Sequence, residues 1–200
     1  MSKNARLSLI VIAVAAVVIA GFFLFGRNNN TTAAPQSGDG TVSVVEYLDF
    51  QCPYCRAVSF DVEKLKTEYG DRVSFSTKHF PIPGHRHGEL AAVSVEAAAA
   101  QGKRDEMAKL VFETQPEWGE QQASQRATFV GFAQRLGLDT AAFEKSLDDQ
   151  AVRERVLAER AEGSKLGVKG TPTFFINGSK FTGTPAYDSL KAAIDRELAK

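Results

Sequence analysis

The only two cysteines of this chain, Cys52 and Cys55, form a Cys-x-x-Cys motif where an apolar segment gives way to a predicted helix. Pro53 fits the first turn of that helix, where an N–H donor is not needed. A cysteine exposed at a helix N-terminus meets unpaired backbone N–H groups and the positive end of the helix dipole, and both favour thiolate over thiol. We therefore predict that Cys52 is the nucleophile of a thiol–disulfide exchange pair. Cys55, one helical turn deeper, would be the resolving thiol.

Other uses of two neighbouring cysteines explain the motif less well. A structural disulfide across so short a loop would constrain the unfolded chain little. A metal site would need further ligands, but one residue separates His85 from His87, whereas three to five usually separate paired zinc-binding histidines. The sequence therefore predicts neither a metal site nor a cofactor.

Glu46 is the other candidate for a chemical role. It shares strand parity with the apolar residues Val44 and Leu48, and burial of an acid on such a face is costly unless the acid has a role. The alternative is a solvated glutamate near the sheet edge.

The N-terminal segment predicts attachment to a membrane. Leu7–Phe25 is a run of 19 uncharged residues, about 28 Å long as a helix, close to the ~30 Å hydrocarbon core of a bilayer. Lys3 and Arg6 precede it and Arg27 alone follows it, which by the positive-inside bias places the N-terminus in the cytoplasm. We expect residues 1–26 to be a cytoplasmic stub and single-pass anchor in the cell membrane, with a cleaved signal peptide as the alternative.

The rest of the chain predicts one extracytoplasmic domain. Residues 27–40 are polar and rich in small residues, as in a flexible linker. Within 41–200, strands are predicted at Thr41–Phe50 and Arg72–Phe80. After a long helical block comes a predicted hairpin, with its turn at Asn177-Gly178 between strands at Thr173–Ile176 and Lys180–Thr182. The order predicts an α/β domain with a helical insertion at about residues 84–165. The formal net charge of zero gives no indication of a nucleic-acid partner.

Five segments together resemble the DsbA-like branch of the thioredoxin superfamily, particularly the membrane-anchored forms of Gram-positive bacteria. They are VVEYLDFQCPYC (44–55), KHFPIPGH (78–85), AAAAQGKRDEM (97–107), FETQPEW (112–118) and GTPTFFINGSKFTG (170–183). They occur in the order typical of the family, and the resemblance covers roughly residues 41–199. It implies a thioredoxin fold with an inserted helical subdomain.

The resemblance also implies roles for further residues. Pro172 corresponds to the superfamily's cis-proline, and Thr171 before it would pair its backbone with an extended substrate. Pro53 and Tyr54, between the cysteines, would contact the substrate as well. Tyr54 stands where the best-known periplasmic oxidases have histidine, so the resemblance does not imply a strongly oxidising potential. Glu46 matches an acid thought to move protons to and from the resolving cysteine.

The predicted function is therefore that of a membrane-anchored thiol–disulfide oxidoreductase, expected to be a monomer. Its substrates would be exported unfolded proteins with free thiols. A DsbB-like or VKOR-like membrane protein would reoxidise it. Two alternatives are a disulfide reductase or isomerase and a thioredoxin-fold peptide-binding chaperone. The family's isomerases have a separate dimerisation domain, for which the short linker leaves no room.

Overall fold

The computed structural model describes residues 41–200 of the protein. The predicted anchor at residues 1–26 and the predicted linker at 27–40 lie outside the described residues. Within 41–200, no helix combines the length and the apolar character needed to cross a membrane.

Four strands form one mixed sheet in the order β2-β1-β3-β4. They are β1 (Val42–Leu48), β2 (Val73–His79), β3 (Thr173–Ile176) and β4 (Ser179–Lys180). β2 runs parallel to β1, whereas β3 pairs antiparallel with both β1 and β4. The sheet confirms the predicted α/β class.

Helices connect and cover the strands. In chain order they are α1 (Pro53–Tyr69), α2 (Gly88–Ala99), α3 (Arg104–Glu113), α4 (Gln115–Trp118), α5 (Arg126–Arg135), α6 (Thr140–Leu147), α7 (Gln150–Lys165) and α8 (Tyr187–Leu198). Six of these, α2 to α7, lie between β2 and β3 in the chain. We call this block the helical insert.

β1 is the central strand of the domain. All seven of its residues are buried, which is typical of a strand covered on both faces. On one face, α1 and α8 pack together through apolar side chains such as Val62, Leu65 and Ile194. α1 ends at Gly70, whose φ of 53° lies in the region that favours glycine. This packing fixes the helix that begins at the cysteine motif.

The helical insert has an apolar core of its own, which extends to the cysteine motif. Trp118, Phe129 and Phe143 are fully buried in this core, and Phe50 and Cys55 belong to the same cluster. The N-terminus of α1 is therefore packed against the insert as well as against the sheet.

The hairpin of β3 and β4 differs slightly from its prediction. Asn177 and Gly178 both have positive φ, 46° and 76°, as a two-residue type I′ turn requires. Such a turn lets strand pairing resume immediately, so β4 begins at Ser179 rather than at the predicted Lys180. Phe181 still donates its N–H to the carbonyl of Phe174 at 2.9 Å.

Candidate active site

The cysteine motif lies where β1 passes into α1. Cys52 is the residue immediately before the helix, with extended backbone (φ −72°, ψ 121°), and Pro53 begins the helix. The N–H of Cys52 donates to the carbonyl of Asp49 at 3.0 Å, and the carbonyl of Cys52 accepts from the N–H of Arg56 at 3.1 Å. Both cysteines thus lie at the N-terminal end of α1, as the sequence predicted.

The Cys52 side chain is more buried than the sequence suggested, whereas Cys55 is the deeper residue, as predicted. Cys52 is 4% exposed and Cys55 is 0% exposed, so the prediction of an exposed Cys52 is wrong in degree, although Cys52 is the more accessible of the two. The reason is a contact from a distant segment, because the carbonyl oxygen of Thr171 lies 3.4 Å from the Cys52 Sγ. Between the cysteines, Pro53 and Tyr54 are exposed, and Tyr54 retains 76% of its surface.

The environment of Cys52 favours its thiolate. A hydrogen bond from the Cys55 thiol is the largest influence that lowers the pKa of Cys52, to about 5, and it outweighs the opposing effect of burial. The backbone N–H groups of Cys55 and Tyr54 and the side chain of Thr171 lower this pKa further. Two of these donors are the unpaired amides of a helix N-terminus, the source of activation predicted from the sequence.

The environment of Cys55 has the opposite effect. Burial strongly raises the pKa of the Cys55 thiol, and its hydrogen bond to Cys52 and the charge of Glu46 raise that pKa further. Adjacent sulfurs are therefore held in different protonation states at neutral pH. A thiol–disulfide exchange pair needs such a difference between a reactive sulfur and a protonated partner.

Glu46 lies on β1, in register with Thr77 of β2 and Phe174 of β3. It is only 4% exposed, so the alternative of a solvated glutamate is wrong. Burial raises its pKa to about 8, opposed by the charge of Lys66 and assisted by that of Cys52. Within the described part of the chain its Oε1 has no hydrogen-bond partner. Glu46 lines a cavity of about 550 Å³ between β1, α1 and α3.

Thr171 and Pro172 lie beside Cys52, as the resemblance implied. The peptide bond between them is cis, and both residues are half-buried. The Thr171 carbonyl oxygen contacts the Cys52 sulfur. The Thr171 hydroxyl makes no hydrogen bond of ordinary geometry among residues 41–200, although it is near enough to the sulfur to lower the pKa of Cys52. Cys52, Cys55, Glu46 and Thr171 therefore interact at one place, with Pro53 and Tyr54 at its surface.

Asp49 was missed by sequence reasoning. Its buried side chain accepts hydrogen bonds from the N–H groups of Gln51 and Ile82, both at 2.8 Å, and its Oδ2 lies 2.6 Å from His85 Nδ1. His87 binds elsewhere, with Nε2 2.7 Å from the carbonyl of Gln121. The two histidines thus have separate partners. A polar Asp and Gln in an otherwise apolar stretch before Cys52 were the available signal.

Two glutamines, Gln51 and Gln115, were also missed. The side chain of Gln51 accepts from the His87 N–H at 2.6 Å and donates to the Gly119 carbonyl at 2.7 Å. Gln115 donates from the helical insert to the turn that carries Cys52. Trp118 in the same insert is fully buried and donates to the Val111 carbonyl, so it is a core residue.

Comparison with known proteins places this site in a family. Residues 36–196 match the family described as thioredoxin. The Na(+)/H(+) antiporter NhaA of Herminiimonas arsenicoxydans is 36% identical over 76% of this chain. NhaA 1 of Salinispora arenicola is 36% identical over 80% of it. The chain spans only about a quarter of the length of these curated relatives, 23% and 24%.

Solved structures show the same fold. A thioredoxin-like oxidoreductase from Silicibacter pomeroyi has a TM-score of 0.67 and 26% identity, over 86% of this chain and 95% of its own. Oxidised BdbD from Bacillus subtilis has a TM-score of 0.72 and 23% identity, over 82% and 91%. DsbA from Xylella fastidiosa has a TM-score of 0.70 and 22% identity, over 84% and 92%. The predicted thioredoxin-like fold and the resemblance to DsbA-type proteins are confirmed, and the chain belongs to the thioredoxin family.

Proposed function

We propose that the protein is an extracytoplasmic thiol–disulfide oxidoreductase that introduces disulfides into exported proteins through Cys52 and Cys55. The observation that carries the proposal is the opposite perturbation of two adjacent thiols, with the pKa of Cys52 lowered to about 5 and that of Cys55 raised. A pair of inert structural thiols would not require this asymmetry. The cis Thr171–Pro172 segment beside Cys52 offers backbone groups to an extended substrate.

In the proposed reaction, a substrate thiolate attacks the Cys52 sulfur of the oxidised pair. A bond forms between that sulfur and the substrate, the Cys52–Cys55 bond breaks, and Cys55 leaves as a thiolate. A second substrate thiolate then attacks the substrate sulfur of the mixed disulfide and expels Cys52. The substrate loses two electrons and gains a disulfide, while the enzyme becomes a dithiol. The low pKa of Cys52 makes it a good leaving group in the second step.

Glu46 is the proposed proton donor in this sequence. Cys55 must take up a proton when it leaves, because burial disfavours its thiolate. With a pKa of about 8, the carboxyl group of Glu46 holds a proton at neutral pH, and its charge is coupled to that of Cys55. Solvent would restore the proton through the adjacent cavity.

The cellular setting is also a proposal. The apolar segment of residues 7–25 supports a single-pass anchor in the cell membrane with the domain outside the cytoplasm. Exported unfolded proteins with free thiols would be the substrates. A quinone-linked membrane protein of the DsbB-like or VKOR-like type would accept the two electrons.

The test uses the oxidised full-length chain in detergent and a reduced, unfolded substrate protein. We expect one disulfide to form in the substrate for each molecule of enzyme, and Cys52→Ser to abolish the transfer. A Cys52→Ser variant that keeps the full effect on substrate folding would support a peptide-binding chaperone instead.

Equilibration with glutathione separates an oxidase from a reductase. A thiolate with a pKa of about 5 stabilises the reduced enzyme, so we expect a potential between about −270 mV, the value for thioredoxin, and about −120 mV, the value for DsbA. A potential below about −270 mV would reassign the protein as a reductase.

A further inference from the structure

The turn that presents Cys52 lacks the usual support of a helix N-terminus. The side chain of Cys52 does not cap α1, and Pro53 has no N–H group. Within the turn, the chain is held by the hydrogen bonds from the Cys52 N–H to the Asp49 carbonyl and from the Gln51 N–H to the Asp49 side chain. Phe50 and Cys52 are both buried, so their carbonyl groups must find hydrogen-bond partners within the protein.

Gln115, the first residue of α4, supplies those partners. It is 5% exposed. Its Nε2 lies 2.6 Å from the Phe50 carbonyl oxygen and 3.0 Å from the Cys52 carbonyl oxygen. The amide nitrogen carries two hydrogens, so it can donate one to each carbonyl. Gln115 thus binds two alternate residues of the turn from the helical insert.

The Cys52 carbonyl has a second role in the same region. It also accepts the N–H of Arg56, the first hydrogen bond of α1. This carbonyl therefore joins the cysteine turn to the start of α1. There the N–H groups of Tyr54 and Cys55 face the Cys52 sulfur. Gln115 does not need to contact that sulfur to affect it.

We propose that Gln115 is a positioning residue for Cys52, which holds the turn so that the amides of Tyr54 and Cys55 are aimed at the sulfur. The inference rests on the proposed function, since it concerns the sulfur that would exchange disulfides. The helical insert would then hold the exchange site in its reactive geometry through the Gln115 side chain.

The test measures the thiolate of Cys52 in reduced full-length protein by its ultraviolet absorbance and its alkylation rate across a pH series. Gln115→Met keeps the length of the side chain and removes both donors. We expect it to raise the pKa of Cys52 by about one unit, a tenfold loss of thiolate at acidic pH. A folded Gln115→Met protein with an unchanged pKa of Cys52 would overturn the proposal.

Gln125→Met is the matched control. Gln125 is a second buried glutamine of the insert, 7% exposed, and its Nε2 donates to the Ala123 carbonyl rather than to the cysteine turn. Its replacement should lower thermal stability without moving the pKa of Cys52. If Gln115→Met does not fold, Gln115→Asn retains an amide that is one methylene too short and should shift the pKa in the same direction. Failure of both Gln115 variants to fold, with Gln125→Met folded, would instead establish a purely structural role.

The outcome for the wild-type protein separates this proposal from the proposed function. A wild-type Cys52 that titrates near the ordinary value of about 8.5 would remove the support for disulfide exchange itself. A low wild-type value that Gln115→Met leaves unchanged would remove only the positioning role.

Discussion

Two buried carboxyl groups lie three residues apart at the end of β1, and their surroundings differ sharply. Asp49 is enclosed by donors, namely two backbone N–H groups and the ring of His85. Glu46 borders a cavity of about 550 Å³ and has an oxygen without a partner among residues 41–200. Burial of a carboxyl group thus has two different consequences in this domain. A fully bonded carboxyl group fixes the shape of the cysteine turn, whereas an under-bonded one with a raised pKa can exchange a proton.

The largest expected effect is the loss of stability when the carboxyl group of Asp49 is removed. Asp49→Ala leaves the N–H groups of Gln51 and Ile82 without their acceptor and should lower the free energy of unfolding by roughly 3–5 kcal/mol. Urea denaturation measures this change. The exposed Asp71 provides the control, and Asp71→Ala should change stability by less than about 0.5 kcal/mol. A loss below about 1 kcal/mol for Asp49→Ala would contradict the structural role of this group.

The next effect concerns stability against pH at Glu46. Its folded-state pKa of about 8 exceeds the ordinary value of 4.5 for a glutamate, so between these two pH values the folded protein holds a proton that the unfolded chain has lost. The contribution of Glu46 to stability is therefore highest below about pH 4.5 and falls as the pH rises to about 8. The fall should be roughly 3–4 kcal/mol.

Glu46→Gln should remove this pH dependence. The measurement is urea denaturation of the oxidised protein, in which the two cysteines do not titrate, at a series of pH values. Below about pH 4, Glu46 is protonated in both the folded and the unfolded chain. In that range the free energy of unfolding should change with pH in the same way in the variant and the wild type, which is the internal control. If the free energy of unfolding of Glu46→Gln depends on pH as strongly as that of the wild type, another group is responsible.

A smaller effect is expected on the exchange reaction. Without its carboxyl proton, Glu46→Gln should slow the release of Cys55 from the disulfide by at least about tenfold at neutral pH. Rapid-mixing measurement of the first substrate oxidation gives this rate. The pKa of Cys52 should change little, because Glu46 is not among the groups that lower it. An unchanged rate would leave Glu46 without a part in proton transfer.

The smallest effect is expected at Thr171. Its side chain is one of the weaker influences that lower the pKa of Cys52. Thr171→Val should therefore raise that pKa by about half a unit. Thr173→Val is the control, because the Thr173 hydroxyl donates to the Gly170 carbonyl and not to a cysteine. Equal pKa values of Cys52 in the two variants would show that the Thr171 hydroxyl does not influence the Cys52 thiol.

Sequence reasoning succeeded where the signal was local. The apolar run before Cys52, Pro53 in the first helical turn and the Asn177-Gly178 turn each determine the backbone over a few residues. The Gly-Thr-Pro segment at residues 170–172 was identified by its resemblance to a family, and its cis bond is present. These features were sufficient to predict the sheet, the hairpin and the place of the cysteines.

What sequence reasoning missed depends on contacts between distant residues. Gln115 lies 63 residues from Cys52 along the chain, and the Thr171 carbonyl that covers the Cys52 sulfur lies 119 residues away. No periodicity or propensity encodes such a pairing. The burial of Cys52 and the role of the two glutamines therefore emerged only from the folded chain.

The close contact between Thr171 and Cys52 also selects among possible partners by shape. Cys52 is only 4% exposed, so under the proposed function its sulfur would be hard to reach for a cysteine fixed on a rigid surface. A flexible, extended segment of polypeptide could pass Tyr54 and bring its own cysteine sulfur to Cys52. Under the proposed function, the protein would therefore act while its substrate is still unfolded, because such a segment is lost once the substrate has folded.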